Sequence, residues 1–170
     1  MADFTQYWSS IENDIDAAAA SYTPLDHTAD NRFEQRGVSV GDCVYVVTVR
    51  KGTLYLVGKL EVGEMLWSDD EAEARLGYSV WSADQHLIAS RCTPVQLVEV
   101  PSEVVARLRF VSRAGCVTVK FSSPGVLDGQ TLRGVRRLEP PSAAELDRFL
   151  PEMEPFSRTS PSVWRTLYPA

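Results

Sequence analysis

Residues 41–62, GDCVYVVTVRKGTLYLVGKLEV, restrict the possible folds more than any other stretch of the chain. Runs 44–49 and 53–62 are dense in Val, Leu, Tyr and Thr, side chains that fit a pleated surface, and Arg50-Lys51-Gly52 separates them. The pair predicts a β-hairpin. Cys43, Tyr45 and Val47 fall on one face and Val44 and Val46 on the other, with a similar split in the second run, so both faces carry apolar groups. Such a hairpin is buried on one side and largely covered on the other, as in a small closed barrel.

Before it, Phe4, Trp8, Ile11 and Ile15 recur at helical spacing, with Asn13, Asp14 and Asp16 turned outward, predicting a helix over residues 3–21. Trp8 lies on the apolar stripe, where core packing is the first reading and a ligand wall the second. Residues 22–37 have loop composition, and a polar loop of that length in a compact domain is often functional. After the hairpin, Ser68 and Glu71 form a capping box that opens a helix over 69–76, closed by Gly77. Further strands are expected near 87–90, 95–100 and 116–121, and a helix over 101–110. Turns are expected at Pro124-Gly125 and Asp128-Gly129. Ser142 with Glu145 reads as a second capping box, with Leu146, Phe149 and Leu150 on its apolar face. One domain is expected over residues 1–150, with 151–170 an ordered extension around Trp164 or a linker. Five or six strands and four helices in hairpin and meander order give an α+β domain, a small and mostly antiparallel β-barrel flanked by helices.

Conventional chemistry is hard to find. The chain has only two histidines, His27 and His86, neither at metal-ligand spacing, and no GxSxG elbow, phosphate loop or GxGxxG turn, so no catalytic residue, metal or cofactor is expected. Its three cysteines form no CxxC pair and read as free thiols, with Cys43 and Cys116 in the core on strands. No apolar run approaches membrane length and residues 1–10 lack a signal-peptide pattern, so a soluble, cytoplasmic protein is expected. A net charge of −6 disfavours indiscriminate nucleic-acid binding but leaves room for one basic face. Arginines do cluster, at Arg32, Arg36, Arg50 and Lys51 and again at Arg133, Arg136 and Arg137.

What remains is a set of aromatic and hydrogen-bonding residues in irregular segments: His27, Asn31 and Phe33, then Trp67, then Trp81, Asp84 and His86. That composition suits a pocket that stacks a flat ring and reads its polar edge, although each Trp could equally plug one end of a barrel. The segments HTADNRFEQRGVSVGDCVYVV, LYLVGKLEV, WSADQHLIAS and LRGVRRLEPPSAAELDRFL resemble the PUA-like superfamily over about residues 25–150. Within it, they are most similar to EVE and SRA-like domains, relatives of YTH, that occur with HNH nucleases in modification-dependent restriction. The resemblance implies a pseudo-barrel that captures a flipped, modified base from double-stranded DNA, typically 5-methylcytosine, in an aromatic pocket. It makes Trp81 the ring wall and Asp84 the acceptor for an amino group, with Asn31, Phe33 and Tyr45 nearby. Arg32, Arg36, Arg50, Lys51 and Arg133 are the expected phosphate contacts. The chain departs from nuclease-fused relatives in lacking an HNH segment, so cleavage would belong to a separate domain or partner. An RNA-binding module of the same fold, and a small-molecule enzyme pairing His86 with Asp84, are the alternatives.

Overall fold

The computed structural model describes residues 1–9 and 12–170. The chain begins with strand β1 (Asp3–Tyr7), helix α1 (Glu12–Ala20), β2 (His27–Asp30) and the hairpin β3 (Cys43–Arg50) and β4 (Thr53–Leu66). Helix α2 (Asp69–Leu76), β5 (Gln85–Cys92), β6 (Val98–Val100), α3 (Ser102–Val105) and a small hairpin β7 (Phe110–Ser112) and β8 (Gly115–Val117) follow. Then come β9 (Phe121–Ser123), β10 (Val126–Leu127), a 3-10 turn at Gly129–Leu132, β11 (Val135–Arg137), α4 (Pro140–Asp147), β12 (Glu154–Pro155) and α5 (Trp164–Leu167).

Eight strands form the main sheet in the order β11-β1-β3-β4-β5-β12, with β2 added to β5 and β6 to β4. Only β1 against β3 is parallel among these pairs. The β3–β4 turn has both central residues at positive φ, Lys51 at 50° and Gly52 at 75°, the backbone that matches the twist of flanking strands. Strand β4 runs for 14 residues because bulges bend it, near Val57 against β3 and at Gly63 against β5. The sheet thereby curls into a half-barrel. Side chains bridge the ends: Gln6 Nε2 donates to the Ala29 carbonyl at 2.7 Å, the Thr28 hydroxyl donates to Gln6, and Trp8 Nε1 donates to Thr28 at 3.0 Å. The fold is therefore α+β, strand-rich and mostly antiparallel.

Both faces of the hairpin are covered, as its composition demands. Val44, Val46, Val57 and Leu60 join Phe4, Leu87 and Trp164 in one core. Cys43, Tyr45, Val47, Leu54 and Leu56 join Phe110, Leu138 and Leu146 in a second core on the opposite face. The tail belongs to this body: β12 pairs with β5, and Trp164 is buried.

Several expectations fail for tertiary reasons. Residues 3–7 are a strand, because β3 on one side and β11 on the other supply ladders that outweigh the helical spacing of Phe4 and Trp8, and the helix begins at Glu12. Ile11, and the side chain of Asn13, lie outside the described residues. The loop expected at 22–37 contains β2, a strand whose buried polar side chains show no apolar alternation. Helix α3 stops at Val105, and Phe110 enters β7 instead. Ser142 lies within α4 rather than capping it, and its hydroxyl accepts from the Arg109 N–H at 2.7 Å. Cys116 is exposed, because β7–β8 is a separate two-stranded sheet with an uncovered face. The described residues also form more elements than the five or six strands and four helices expected, since many strands are two to four residues long.

Candidate nucleic-acid interface

The connection from β2 to β3 separates two open clefts. It is pinned by Phe33, which is fully buried, by the Glu34 N–H donating to Gln85 at 2.9 Å, and by the Arg32 N–H donating to Asp30 at 2.9 Å. Phe33 is thus an anchor beneath the loop and not a pocket wall.

On one side lies a groove of about 790 Å³ lined by Arg32, Arg36, Arg113, Arg136 and Arg137, together with Gln35, Val111, Ser112 and Val135. Among the described residues, none of these five arginines forms an ion pair with a carboxylate. The nearby acid is Asp30, whose pKa is raised by burial although Arg32 and Arg36 pull it down. Arg136 is half-buried, lies 4.2 Å over the Phe110 ring and donates to the Thr131 carbonyl. Burial, and then the charge of Arg36, push its pKa below the ordinary guanidinium value. Of the expected phosphate contacts, only Arg32 and Arg36 line this groove. Arg50 is committed to Asp16 at 2.9 Å and to the Glu12 carbonyl at 3.0 Å. Lys51, in the β3–β4 turn, and Arg133, after the 3-10 turn, are exposed outside it.

On the other side is a polar cleft of about 440 Å³ lined by Asn31, Trp67, Ser68, Asp69, Asp70, Ser82, Ala83 and Asp84. Trp67 is 52% exposed and precedes the capping box, where Glu71 accepts from the Trp67 N–H at 3.2 Å and donates its own N–H to Ser68 at 3.2 Å. Asn31 Oδ1 accepts from the Asp84 N–H at 2.8 Å, tying the two cleft walls together. Asn31, Trp67 and Asp84 therefore meet here as expected residues. Tyr45 does not: it is buried in the second core, donating to Asp147 at 2.8 Å.

Behind the cleft runs a buried relay. His86 Nε2 lies 2.9 Å from Asp69 Oδ1 and 3.1 Å from the Ala83 carbonyl, two acceptors that require the proton on Nε2. His86 Nδ1 in turn faces His27 Nε2 at 3.0 Å, and the two rings share one hydrogen bond. Burial, followed by the neighbouring His86, pushes the His27 pKa down to about 3, so His27 is neutral across the physiological range. His86 is fully buried and pairs with Asp69 rather than Asp84, which corrects the pairing expected for an enzyme. Asp69 also accepts from the Ala83 N–H at 3.0 Å. That contact leads, with the Ser82 hydroxyl next, in holding its carboxyl below the usual carboxylate range.

Trp81, expected as the ring wall, is instead a strut. It stacks on His27 at 5.4 Å and 17°, and meets Trp8, Trp164 and Tyr168 edge-on at 5.1, 5.8 and 5.9 Å. Asp69, Arg113, Arg136 and Arg137 complete the two clefts without having been picked out as site residues. Asp69 sits in the first turn of α2, where an acid has a local cause, and Arg113 is a single arginine in a short hairpin. No group of three or more metal-ligating side chains occurs among the described residues. No helix among them is long and apolar enough to cross a membrane. The chain matches no family model, and no curated protein matches it significantly.

Proposed function

We propose that this protein is a non-catalytic reader of modified DNA, built on a PUA-like fold of the EVE/SRA type, that captures an extruded base in the Trp67 cleft. The observation that carries the reading is the half-exposed Trp67 lining a cleft whose other walls are, apart from Ala83, polar side chains. A flipped base loses its stacking partners, and one aromatic platform restores about 1–3 kcal/mol. Edge recognition falls to Asp69, whose Oδ1 is held by two N–H donors while the carboxylate remains 37% exposed. A carboxylate only accepts, so it favours an exocyclic amino edge, as in 5-methylcytosine, over the carbonyl of thymine. Asp84, exposed and, among the described residues, bonded only through its main chain, is the less rigid acceptor. In this reading the protein works in the cytoplasm with cleavage, if any, supplied by a partner nuclease.

The test is a gel-shift panel of identical duplexes carrying cytosine, 5-methylcytosine, 5-hydroxymethylcytosine or N6-methyladenine, run with wild type, Trp67→Ala and Asp69→Asn. Tighter binding to a modified duplex, weakened about tenfold by Trp67→Ala, supports the reading, and Asp69→Asn is expected to erode discrimination between bases more than total affinity. Equal affinity across the panel refutes it. Preference for an A-form RNA duplex would move the protein to RNA, where the 2′-hydroxyl is the distinguishing group.

A further inference from the structure

We infer that the arginine groove between the β2–β3 connection, the β7–β8 hairpin and β11 is the surface that tracks the phosphodiester backbone of duplex DNA. This rests on the proposed nucleic-acid reading for its biological setting, but its physical basis is separate from base capture.

The chain carries a net charge of −6, so a bare arginine cluster is an exception on its surface. Five guanidinium groups from three elements converge on one groove, and none is neutralised by an ion pair among the described residues. Elsewhere several exposed arginines are paired, as Arg75 with Glu64 at 2.8 Å and Arg148 with Glu145 at 3.4 Å. Arg36 and Arg136 both line the groove and lie near enough to repel each other, a repulsion that a bound anion would reduce. Arg136 has limited freedom, because Phe110 lies under its plane and the Thr131 carbonyl takes one N–H. A planar fork held in place is suited to phosphate oxygens.

A groove lined from three sides fits an extended polyanion better than a single small anion. The neighbouring cleft shows the opposite charge, with Asp69, Asp70 and Asp84 on its walls. The two sides of one connection thus divide the labour: phosphate is attracted to the groove and repelled from the cleft, which is left to an uncharged base. Arg32 and Asn31 are sequence neighbours on opposite sides of this divide, so a strand held in the groove lies beside the cleft.

The experiment uses an unmodified duplex, which makes it independent of base recognition. Its affinity for wild type is measured across a salt series and compared with Arg36→Gln/Arg137→Gln and with Lys51→Gln/Arg133→Gln, which removes two exposed charges outside the groove. Each phosphate contact contributes about 0.9 to the slope of log affinity against log salt, so the groove pair should flatten it by nearly 2 and the control pair by much less. Because all four side chains are exposed, melting temperatures should stay near that of wild type. Equal flattening by both pairs would show diffuse attraction and overturn the assignment, as would no duplex binding at low salt. Retention by anionic phospholipid vesicles with no duplex binding would overturn it in favour of a membrane surface. Binding that follows the expected slopes but ignores methylation would uphold the groove while refuting the reader hypothesis.

Discussion

Replacing Asp26 by asparagine should remove one defined contribution to the pH dependence of stability. Asp26, immediately before β2, is fully buried: Oδ1 accepts from the Tyr78 hydroxyl at 2.8 Å, while Oδ2 has no partner among the described residues. Burial pushes its pKa from 3.8 up to about 6, against the opposing effect of the Tyr78 hydroxyl, its own backbone and Arg165. The folded state therefore holds this proton more tightly than the unfolded chain. Below pH 3.8 both states are protonated and burial carries no ionic cost; as pH rises toward 6 the cost grows, and above 6 it is complete. At about 1.4 kcal/mol per pH unit, the interval corresponds to about 3 kcal/mol. The amide of the Asp26→Asn variant keeps an acceptor for Tyr78 but brings an N–H₂ group into the place of Oδ2, a cost of about 1–3 kcal/mol that is the same at every pH. The quantity to follow is thus the difference between variant and wild type. In urea unfolding at pH 4 to 8, that difference should shift in favour of Asp26→Asn by about 2.4 kcal/mol between pH 4 and 7, or roughly 5–10 °C in melting temperature for a chain of this size. A difference that stays flat over this range would refute the buried, proton-retaining carboxyl.

Trp81→Ala should lower stability by about 3 kcal/mol, because it removes the ring that Trp8, His27, Trp164 and Tyr168 pack against, while the folded fraction keeps its duplex affinity. A stable variant with lost affinity would return Trp81 to the pocket wall. Among the thiols, Cys116 should react with a thiol reagent at once, whereas Cys43 and Cys92, pushed by burial up to about 11 and about 12, should react only on unfolding. Rapid labelling of three thiols in the native protein would contradict the two cores. Gly63→Ala should cost about 1–3 kcal/mol in urea unfolding, since its new Cβ would lie 2.8 Å from the Ser90 nitrogen, a backbone atom with little room to move. An unchanged midpoint would mean that the β4 bulge adjusts freely.

Local sequence determined the elements whose causes are local. The 43–66 hairpin follows from two apolar runs around a turn that tolerates positive φ at Lys51 and Gly52. Helix α2 follows from Ser68, three acids in its first turn and Gly77 in the left-handed conformation, all within ten residues. Three polar or aromatic residues picked out in separate segments, Asn31, Trp67 and Asp84, also line one cleft, because irregular segments rich in such groups have few other ways to be satisfied. Only the tertiary structure decided what depends on distant partners. Residues 3–7 became a strand through ladders to β3 and to β11, more than 120 residues on in the chain, and His27–Asp30 became one by pairing with Gln85–Ile88. The relay joins His27 to His86 across 59 positions and ends on Asp69, whose place at a helix start already accounts for its charge locally. Trp81 went to a strut because two of its neighbours come from the tail, and Arg113 joined Arg36 and Arg136 because β7–β8 and β11 fold toward one loop. Propensity, spacing and capping act over one or two turns of chain, whereas burial, ladder pairing and summed charge act through space, and the second set positions both clefts.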